Sequence, residues 1–339
     1  MYTESGQIKE IIGKAQKIVI IQADNPDADS LGSALALEHI LGDLGKEPYL
    51  YSGTDVPTYL RYLEGWDRVQ LELPNNFDAS IIVDASTMSL LEKMTQAGYQ
   101  KRLATKPCIV LDHHASVENL VPFATVMLND HENVSSAGEL VYRVTKELGW
   151  PLSVEAQTCL MTAILGDTQG LSNQLARAET YRVMAEMVED GVNRPALEEL
   201  RREAGKMPRT IFTYKARLIA RTEFAAEGRI AWVSVPQVEI NEYSPLYNPG
   251  PLVQGDMLQT AGVEVAIVLK QYDDGKVTGA IRCNPTAGIA ADLAVQMGGG
   301  GHAFASGFKV TDGRSFEQIK NDCLEIAEGL LTKQEVKQA

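Results

Sequence analysis

Short apolar runs alternate with helical patterns through the first half of the chain, and this alternation restricts the fold more than any other feature. The first run, 17–23 (KIVIIQA), is short, apolar and rich in β-branched residues, which is typical of a buried strand. Three further short strands are predicted at 49–52 (YLYS), 79–86 (ASIIVDAS) and 107–116 (PCIVLDHHAS). Helical spacing follows the first run, from Leu31 to a stop at Gly45 and Pro48. We therefore predict an α/β domain built on a parallel sheet with helices on both faces.

Two further helices are predicted after the fourth strand. Ser136 and Glu139 have the spacing of a capping box, which marks the start of a helix. The pattern over 154–170 is also helical and ends at Gly166 and Asp167.

The second half has a different organisation. It contains a predicted strand over 229–235, a hairpin with Asp274 and Gly275 at its turn, a short helix over 287–297 and a final helix. We predict a smaller α+β domain here. The predicted divisions are a first domain over 1–190, a helical linker over 191–215 and a second domain over 216–332.

The composition restricts the partner and the compartment. A chain of 339 residues suits two domains, and its net charge of -14 opposes binding to a long nucleic acid duplex while leaving a short phosphorylated ligand open. No apolar stretch is long enough to span a bilayer, and the polar N-terminus is unlike a signal peptide. The cysteines are scattered, which favours reduced core thiols and a cytoplasmic protein without a membrane partner. These cysteines are Cys108, Cys159, Cys283 and Cys323.

Acidic and imidazole side chains lie where the predicted strands and one helix end. They are Asp27, Asp29, Asp84, Asp112, His113, His114 and Asp167. Ligands of open parallel sheets bind at the carboxyl ends of the strands, so we expect these groups to converge on one crevice. Carboxylates mixed with imidazoles suit Mn²⁺ or a similar divalent ion, and Asp84, alone at its strand end, is the natural bridge between two ions. The alternative is that single aspartates cap helices, as Asp29 could for the helix at Leu31.

A glycine run and an arginine in the second half suggest a phosphate site. The backbone N–H groups of Gly298–Gly301, before His302, can approach a phosphate closely, although linkers have similar sequences. Arg282 ends a strand of the hairpin and suits a bidentate phosphate contact, with a surface ion pair as the alternative.

Taken in order, the segments NPDADSLGS, VDAS, LDHH, LGDTQG and GGGGHAFASGF resemble the DHH superfamily of phosphoesterases. The resemblance covers nearly the whole chain and is greatest to the stand-alone nanoRNase and pAp phosphatase group. It implies that the first half is a catalytic, metal-binding DHH domain and the second a DHH-associated domain that binds substrate.

The resemblance also implies a role for each matching residue at a site with two Mn²⁺ ions. Asp27 would bind the first ion and Asp29 the second, and Asp84 would bridge both. His113 and Asp167 would complete the second ion. The catalytic His114 would lie beside the scissile phosphate, held by Asp112. The substrate-binding residues would be Arg282, Gly299, Gly300 and His302.

The sequence departs from the family pattern at Ala23, where the pattern has a histidine ligand of the first ion. Asp24 could replace that ligand, the first site could be weak, or the protein could bind nucleotides without hydrolysing them. Because the other ligands are present, we expect activity to be retained.

The expected function is hydrolysis of short oligonucleotides, of dinucleotides such as pApA, or of pAp to mononucleotides. The alternatives are a nucleotide-binding regulator with a degenerate metal site, a cyclic-dinucleotide phosphodiesterase and a pyrophosphatase-like enzyme. The expected partner is a short nucleotide, and a homodimer through the first domain is a further expectation.

Overall fold

A computed structural model describes residues 2–115, 119–244 and 247–338. The chain divides into two compact units, Met1–Lys206 and Met207–Ala339. The division falls inside the predicted linker 191–215, most of which is helical. All four cysteines are buried and unpaired, which confirms the prediction of reduced core thiols. Among the described residues, no helix combines the length and the apolar character needed to cross a membrane.

The first unit contains a five-stranded parallel sheet, so the predicted fold class is confirmed. The strand order is β2-β1-β3-β4-β5. The strands are β1 (Lys17–Ile21), β2 (Glu47–Tyr51), β3 (Ala79–Val83), β4 (Cys108–Asp112) and β5 (Val126–Asn129). The predicted strands extended too far at their carboxyl ends, because the chain leaves the sheet before Gln22, Asp84 and His113. Ser116, the last residue of the fourth predicted strand, lies outside the described residues.

Eight helices of the first unit are described, together with short 3₁₀ turns. They are α1 (Ser5–Lys14), α2 (Ala28–Asp43), α3 (Glu92–Gln96), α4 (Gln100–Leu103), α5 (Ala137–Leu148), α6 (Val154–Asp167), α7 (Ala178–Glu189) and α8 (Arg194–Ala204). Close packing of α2 on α6 depends on Gly32, since a Cβ there would lie 2.6 Å from the carbonyl oxygen of Cys159. This contact helps to bring the start of α2 beside the end of α6.

Helix caps differ from the sequence-based expectations in two places. Asp27, and not Asp29, caps α2, and its Oδ1 accepts hydrogen bonds from the N–H groups of Asp29 and Ser30 at 3.0 Å each. At the start of α5, Ser136 Oγ accepts from the N–H of Glu139 as a capping box requires. The Glu139 carboxylate, however, accepts from the N–H and hydroxyl of Ser135, so the box is incomplete.

The second unit contains a mixed six-stranded sheet with the order β10-β11-β9-β8-β7-β6. Its strands are β6 (Glu223–Ala225), β7 (Ile230–Pro236), β8 (Val265–Gln271), β9 (Val277–Cys283), β10 (Gly300–His302) and β11 (Ala305–Val310). Its helices are α9 (Arg209–Ala220), α10 (Gln237–Tyr243), α11 (Pro249–Leu258), α12 (Ala290–Gln296) and α13 (Phe316–Gln338). The predicted hairpin is the antiparallel pair β8 and β9, with Gly275 at a φ of 82° in its turn.

Candidate metal centre

His113 lies at the centre of a buried group of carboxylates at the carboxyl end of the parallel sheet. Its Nε2 is 3.0 Å from Asp167 Oδ2, 3.4 Å from Asp29 Oδ2 and 3.5 Å from Asp84 Oδ1. Two sets of ligand atoms are close enough to hold a metal ion, namely Asp29, His113 and Asp167, and Asp84, His113 and His114. The strand ends therefore converge as the sequence predicts.

Asp29 is held in place by the first turn of α5. Its carboxylate is fully buried and accepts hydrogen bonds from the N–H groups of Ala137 at 2.7 Å and Gly138 at 2.9 Å, and from the Ser33 hydroxyl at 3.1 Å. Burial and the negative charge of Asp167 nevertheless raise the pKa of Asp29 to about 7. A cation at this position would keep the carboxylate ionised.

Asp84 combines burial with a strained backbone. Its φ is 60°, in the left-handed region that residues other than glycine rarely adopt. Burial and the charge of Asp29 raise the pKa of Asp84 well above its usual range. Its Oδ1 and the buried Asp112 Oδ2 accept no well-formed hydrogen bond from any described residue. The buried His113 Nε2 likewise forms no well-aligned hydrogen bond there, although three carboxylates lie within 3.5 Å of it. Unpaired buried oxygens and an imidazole nitrogen fit a divalent cation.

The two histidines differ in exposure. Burial opposes the positive charge of His113, but its contacts with Asp167 and Asp84 and the charge of Asp29 raise its pKa to about 11. His114 is half exposed, and its Nδ1 lies 2.8 Å from Asp112 Oδ1. This contact raises the pKa of His114. The same Asp112 oxygen accepts from the N–H of His113 at 2.9 Å, so Asp112 positions both histidines.

Asp24, the possible replacement for the missing histidine, has its Oδ2 engaged by another helix, while its Oδ1 is buried without a hydrogen-bond partner among the described residues. Its Oδ2 accepts a hydrogen bond from the N–H of Lys93 at 2.7 Å, in the first turn of α3. Burial raises the pKa of this carboxyl group. Ala23 is buried in an apolar cluster on the same side of the sheet as Ile21 and Ala85. Asp24 therefore caps a helix, and it belongs to neither set of ligand atoms.

Asp27 is the other expected ligand that lies outside both sets. Its Oδ1 is engaged in capping α2, although the residue is exposed and its charge still acts on Asp84. The structure thus brings together Asp29, Asp84, His113 and Asp167, and it adds His114 as a neighbour of Asp84. Sequence reasoning missed the N–H groups of α5 that hold Asp29, since nothing in the local sequence links two segments more than 100 residues apart.

In the second unit, Arg282 lies on β9 opposite Ala305 of β11. Its guanidinium contacts its own chain, donating to the carbonyl of Ile281 at 3.0 Å, and it forms no ion pair with any described residue. Phe304, which sequence reasoning missed, is 49% exposed beside this strand pair and packs on Gly288. The side chain of His302 lies outside the described part of the chain.

The glycine run has a structural role that the sequence analysis did not anticipate. A Cβ on Gly299 would lie 2.2 Å from the carbonyl oxygen of Gly307, and a Cβ on Gly301 would lie 2.5 Å from Ser306 Cβ. These glycines permit β10 to approach β11. Gly300, in contrast, has open space where a side chain would be.

This difference predicts opposite results for two substitutions. Gly299→Ala should lower the free energy of unfolding by about 1–3 kcal/mol, because the new methyl group meets backbone atoms that cannot move freely. Gly300→Ala should leave stability unchanged within roughly 0.5 kcal/mol, because its methyl group meets open space. Urea unfolding of both variants checks this. Equal destabilisation by both variants would contradict it.

The charges of the centre predict how the stability of the metal-free protein varies with pH. In the folded state the pKa of Asp29 is about 7, whereas in the unfolded chain it is about 4. The folded protein thus retains a proton that the unfolded chain has lost, so stability falls as the pH rises through this range. His113 acts in the same direction between pH 6.5 and about 11.

Urea unfolding in the presence of a chelator should therefore show a loss of roughly 2–4 kcal/mol between pH 5 and pH 8. Bound Mn²⁺ should reduce this loss, because the metal replaces the protons. Asp29→Asn serves as the control and should have a weaker pH dependence. A metal-free protein equally stable at both pH values would contradict the electrostatic account.

Carboxylates and imidazoles meet at the ends of parallel strands, and the same chain carries an α+β unit with a glycine-lined edge. These are the features of an α/β protein with a candidate metal centre. Residues 17–164 match the DHH family, N-terminal domain, and residues 249–331 match the DHHA1 domain. The chain belongs to the DHH superfamily of phosphoesterases.

Three known proteins indicate the range of this similarity. The chain is 26% identical over 314 residues to the bifunctional oligoribonuclease and PAP phosphatase NrnA of Thermus thermophilus, covering 91% of this chain and 88% of that protein. It is 28% identical over 284 residues to a probable manganese-dependent inorganic pyrophosphatase of Streptococcus agalactiae, covering 76% and 80%. The crystal structure of an exopolyphosphatase-related protein from Bacteroides fragilis has the same fold over 97% of both chains, with a TM-score of 0.82 and 20% identity. Hydrolysis of phosphate esters is the reaction class that the family match and the similarity to NrnA support.

Proposed function

We propose that this protein is a Mn²⁺-dependent phosphoesterase that hydrolyses short oligonucleotides, dinucleotides such as pApA, and pAp to mononucleotides. The proposal depends above all on the buried centre, where His113 Nε2 lies within 3.5 Å of three carboxylates and Asp84 Oδ1 accepts no well-formed hydrogen bond from any described residue. The two buried carboxylates beside His113, Asp29 and Asp84, are unfavourable without a cation, because burial and like charges both oppose their ionisation.

The residues that would hold the second ion are Asp29, His113 and Asp167, with Asp84 as the bridge. The first ion would be held by Asp84 together with Asp27, whose charge acts on Asp84. When bound, divalent ions polarise the phosphoryl oxygens and lower the pKa of coordinated water. The N–H groups of Ala137 and Gly138 fix the orientation of Asp29, as supporting residues of metal ligands commonly do.

His114 is the proposed general acid. Its Nδ1 is engaged by Asp112, which leaves Nε2 as the nitrogen that can face the substrate. The contact with Asp112 raises the pKa of His114, so the ring retains its proton near neutral pH. This proton would pass from Nε2 to the leaving oxygen as its bond to phosphorus breaks.

The second unit is proposed to bind the terminal phosphate of the substrate. Arg282, unpaired among the described residues, offers two N–H donors, and Gly300 exposes its backbone without a side chain. His302 is proposed to join them. Since the chain carries a net charge of -14, a short ligand bound by a few local cations is favoured over a long duplex.

A second candidate function is nucleotide binding without hydrolysis. It is favoured by one observation, that Ala23 supplies no ligand and Asp24 is engaged with α3. In this case the centre would hold at most one ion, and the protein would act as a nucleotide-binding regulator.

The test is release of AMP from pApA at increasing Mn²⁺ concentrations, with the metal content per chain measured on the same sample. Turnover that requires Mn²⁺ and is absent in Asp84→Asn supports the phosphoesterase. Parallel assays of pAp, cyclic di-AMP and pyrophosphate rank the substrates. No turnover of any of them, with one ion or none per chain, would overturn the proposal and leave the nucleotide-binding protein.

A further inference from the structure

A cavity of about 400 Å³ lies within the first unit, outside the centre described above. It is enclosed by the 3₁₀ turn at Thr58–Leu60, the carboxyl end of α6 and the helix α8. Its wall contains two tyrosines, Tyr59 and Tyr62, with leucines around them. Its volume is within the range of small-molecule sites and suits one nucleoside, not a helical nucleic acid.

The cavity adjoins the candidate metal centre through one pair of residues. Ala28 and Gly166 both line it, and a Cβ on Gly166 would lie only 2.7 Å from Ala28 Cβ, so the two residues are in contact. Ala28 is flanked in the chain by Asp27 and Asp29, and Gly166 directly precedes Asp167. A ligand in the cavity is therefore next to the backbone that carries the proposed metal ligands.

The loop that follows α6 adds a second observation on the same side. Gln169 and Leu171 have φ values of 51° and 69°, with Gly170 at 73° between them. Three consecutive left-handed residues are costly for the two that are not glycine. Gln169 and Gly170 both line the cavity, so the strained segment forms part of its wall.

The chemistry of the wall favours an aromatic base over a phosphate. Arg201 and Glu198 both line the cavity, but they pair with each other at 2.7 Å, which largely cancels their charges. Arg194 remains as one cation without an ion-pair partner among the described residues. Tyrosine rings and apolar side chains bind nucleobases by stacking, and a guanidinium plane can do the same.

We propose that this cavity is a nucleobase subsite, in which Tyr59 and Tyr62 contact the base of the nucleotide whose phosphate is held at the candidate metal centre. That the phosphate belongs to a nucleotide substrate rests on the proposed function, whereas the base is inferred from the cavity alone. In this inference Tyr59 and Tyr62 set the preference for nucleotide esters over phosphate esters without a base.

The test uses ligand-observed NMR to measure adenosine binding to the metal-free protein of 339 residues. Ribose, which lacks a base, is the comparison ligand. Tyr59 is 55% exposed, so Tyr59→Ala should fold normally. We expect Tyr59→Ala to weaken adenosine binding about tenfold and Tyr59→Phe to change it less than about twofold. Phe212→Ala, at an exposed aromatic of the second unit, is the matched control and should have no effect.

Two outcomes separate this inference from the proposed function. If the protein hydrolyses nothing but Tyr59→Ala still weakens adenosine binding, the subsite is supported and the function is not. If the protein hydrolyses pApA but Tyr59→Ala leaves adenosine binding and the KM for pApA unchanged, the subsite is overturned and the function stands. A change of oligomeric state in Tyr59→Ala, without a change in adenosine binding, would also overturn it by assigning the cavity to a second copy of the chain.

Discussion

Asp84→Asn is expected to abolish metal-dependent phosphoester hydrolysis and, at the same time, to stabilise the metal-free protein. The carboxylate is buried, and burial and the charge of Asp29 raise its pKa well above the usual range. An amide of the same shape removes this repulsion but is a poor ligand for a bridging position. We expect activity to fall by on the order of 10³-fold or more. The free energy of unfolding of the metal-free protein should rise by about 1–3 kcal/mol at pH 8.

The two effects are measured separately, by AMP release from pApA and by urea unfolding with a chelator. Asp43→Asn is the matched control, because Asp43 is an exposed aspartate at the last residue of α2, the opposite end of this helix from Asp29. It should change neither quantity. A variant Asp84→Asn that is inactive and also less stable without metal would indicate a structural carboxylate and would contradict the metal-site account.

The loss of activity and the gain in stability expected for Asp84→Asn have one structural cause. The backbone at Asp84 is held at a φ of 60°, and Asp29 is buried against the N–H groups of α5, so both carboxylates keep their positions at a cost in folding energy. Repulsion between these buried carboxylates destabilises the metal-free folded protein. A bound cation removes this repulsion, and the centre therefore favours metal binding. The same feature explains why the pH dependence expected for the metal-free protein should weaken in the presence of Mn²⁺.

Local sequence was sufficient to predict most of the fold of the first unit. The runs that became β1, β3 and β4 are apolar and β-branched, and they are central in the sheet. The edge strand β5 was missed, because its four residues alternate between buried and half-buried positions and resemble a loop in isolation. Strand ends were predicted several residues too late, since Asp84 leaves the sheet through a backbone conformation that the sequence does not reveal.

Part of the candidate site could also be predicted from the sequence, whereas the rest depends on contacts between distant segments. The rule that ligands bind at the carboxyl ends of parallel strands brings Asp29, Asp84 and His113 together without any knowledge of side-chain contacts. The use of Asp24 could not be predicted, because its partner, the N–H of Lys93, lies 69 residues further along the chain. Whether an aspartate caps a helix or faces a metal depends on such distant contacts.

Ala23→His is the second large expected effect, and it tests the departure from the family pattern directly. Ala23 is 7% exposed and packs in an apolar cluster, so a larger side chain should lower the stability of the metal-free protein by about 1–3 kcal/mol. The imidazole would restore the histidine that the family pattern has at this position. We therefore expect the affinity for the first Mn²⁺ to rise by roughly 10–100-fold, with higher turnover at low Mn²⁺. Metal titration by calorimetry and pApA hydrolysis measure the two gains.

Ala23→Leu distinguishes the effect of a metal-ligating nitrogen from the effect of a larger side chain, because leucine brings a similar volume into the cluster without a nitrogen. If both variants are destabilised but only Ala23→His binds Mn²⁺ more tightly, position 23 faces the first ion and the natural protein works with an incomplete ligand set. If both variants bind Mn²⁺ as the parent does, position 23 is part of the apolar cluster alone. The first ion would then depend on Asp84 and Asp27, whose charge acts on Asp84, and the natural protein would lack nothing at Ala23.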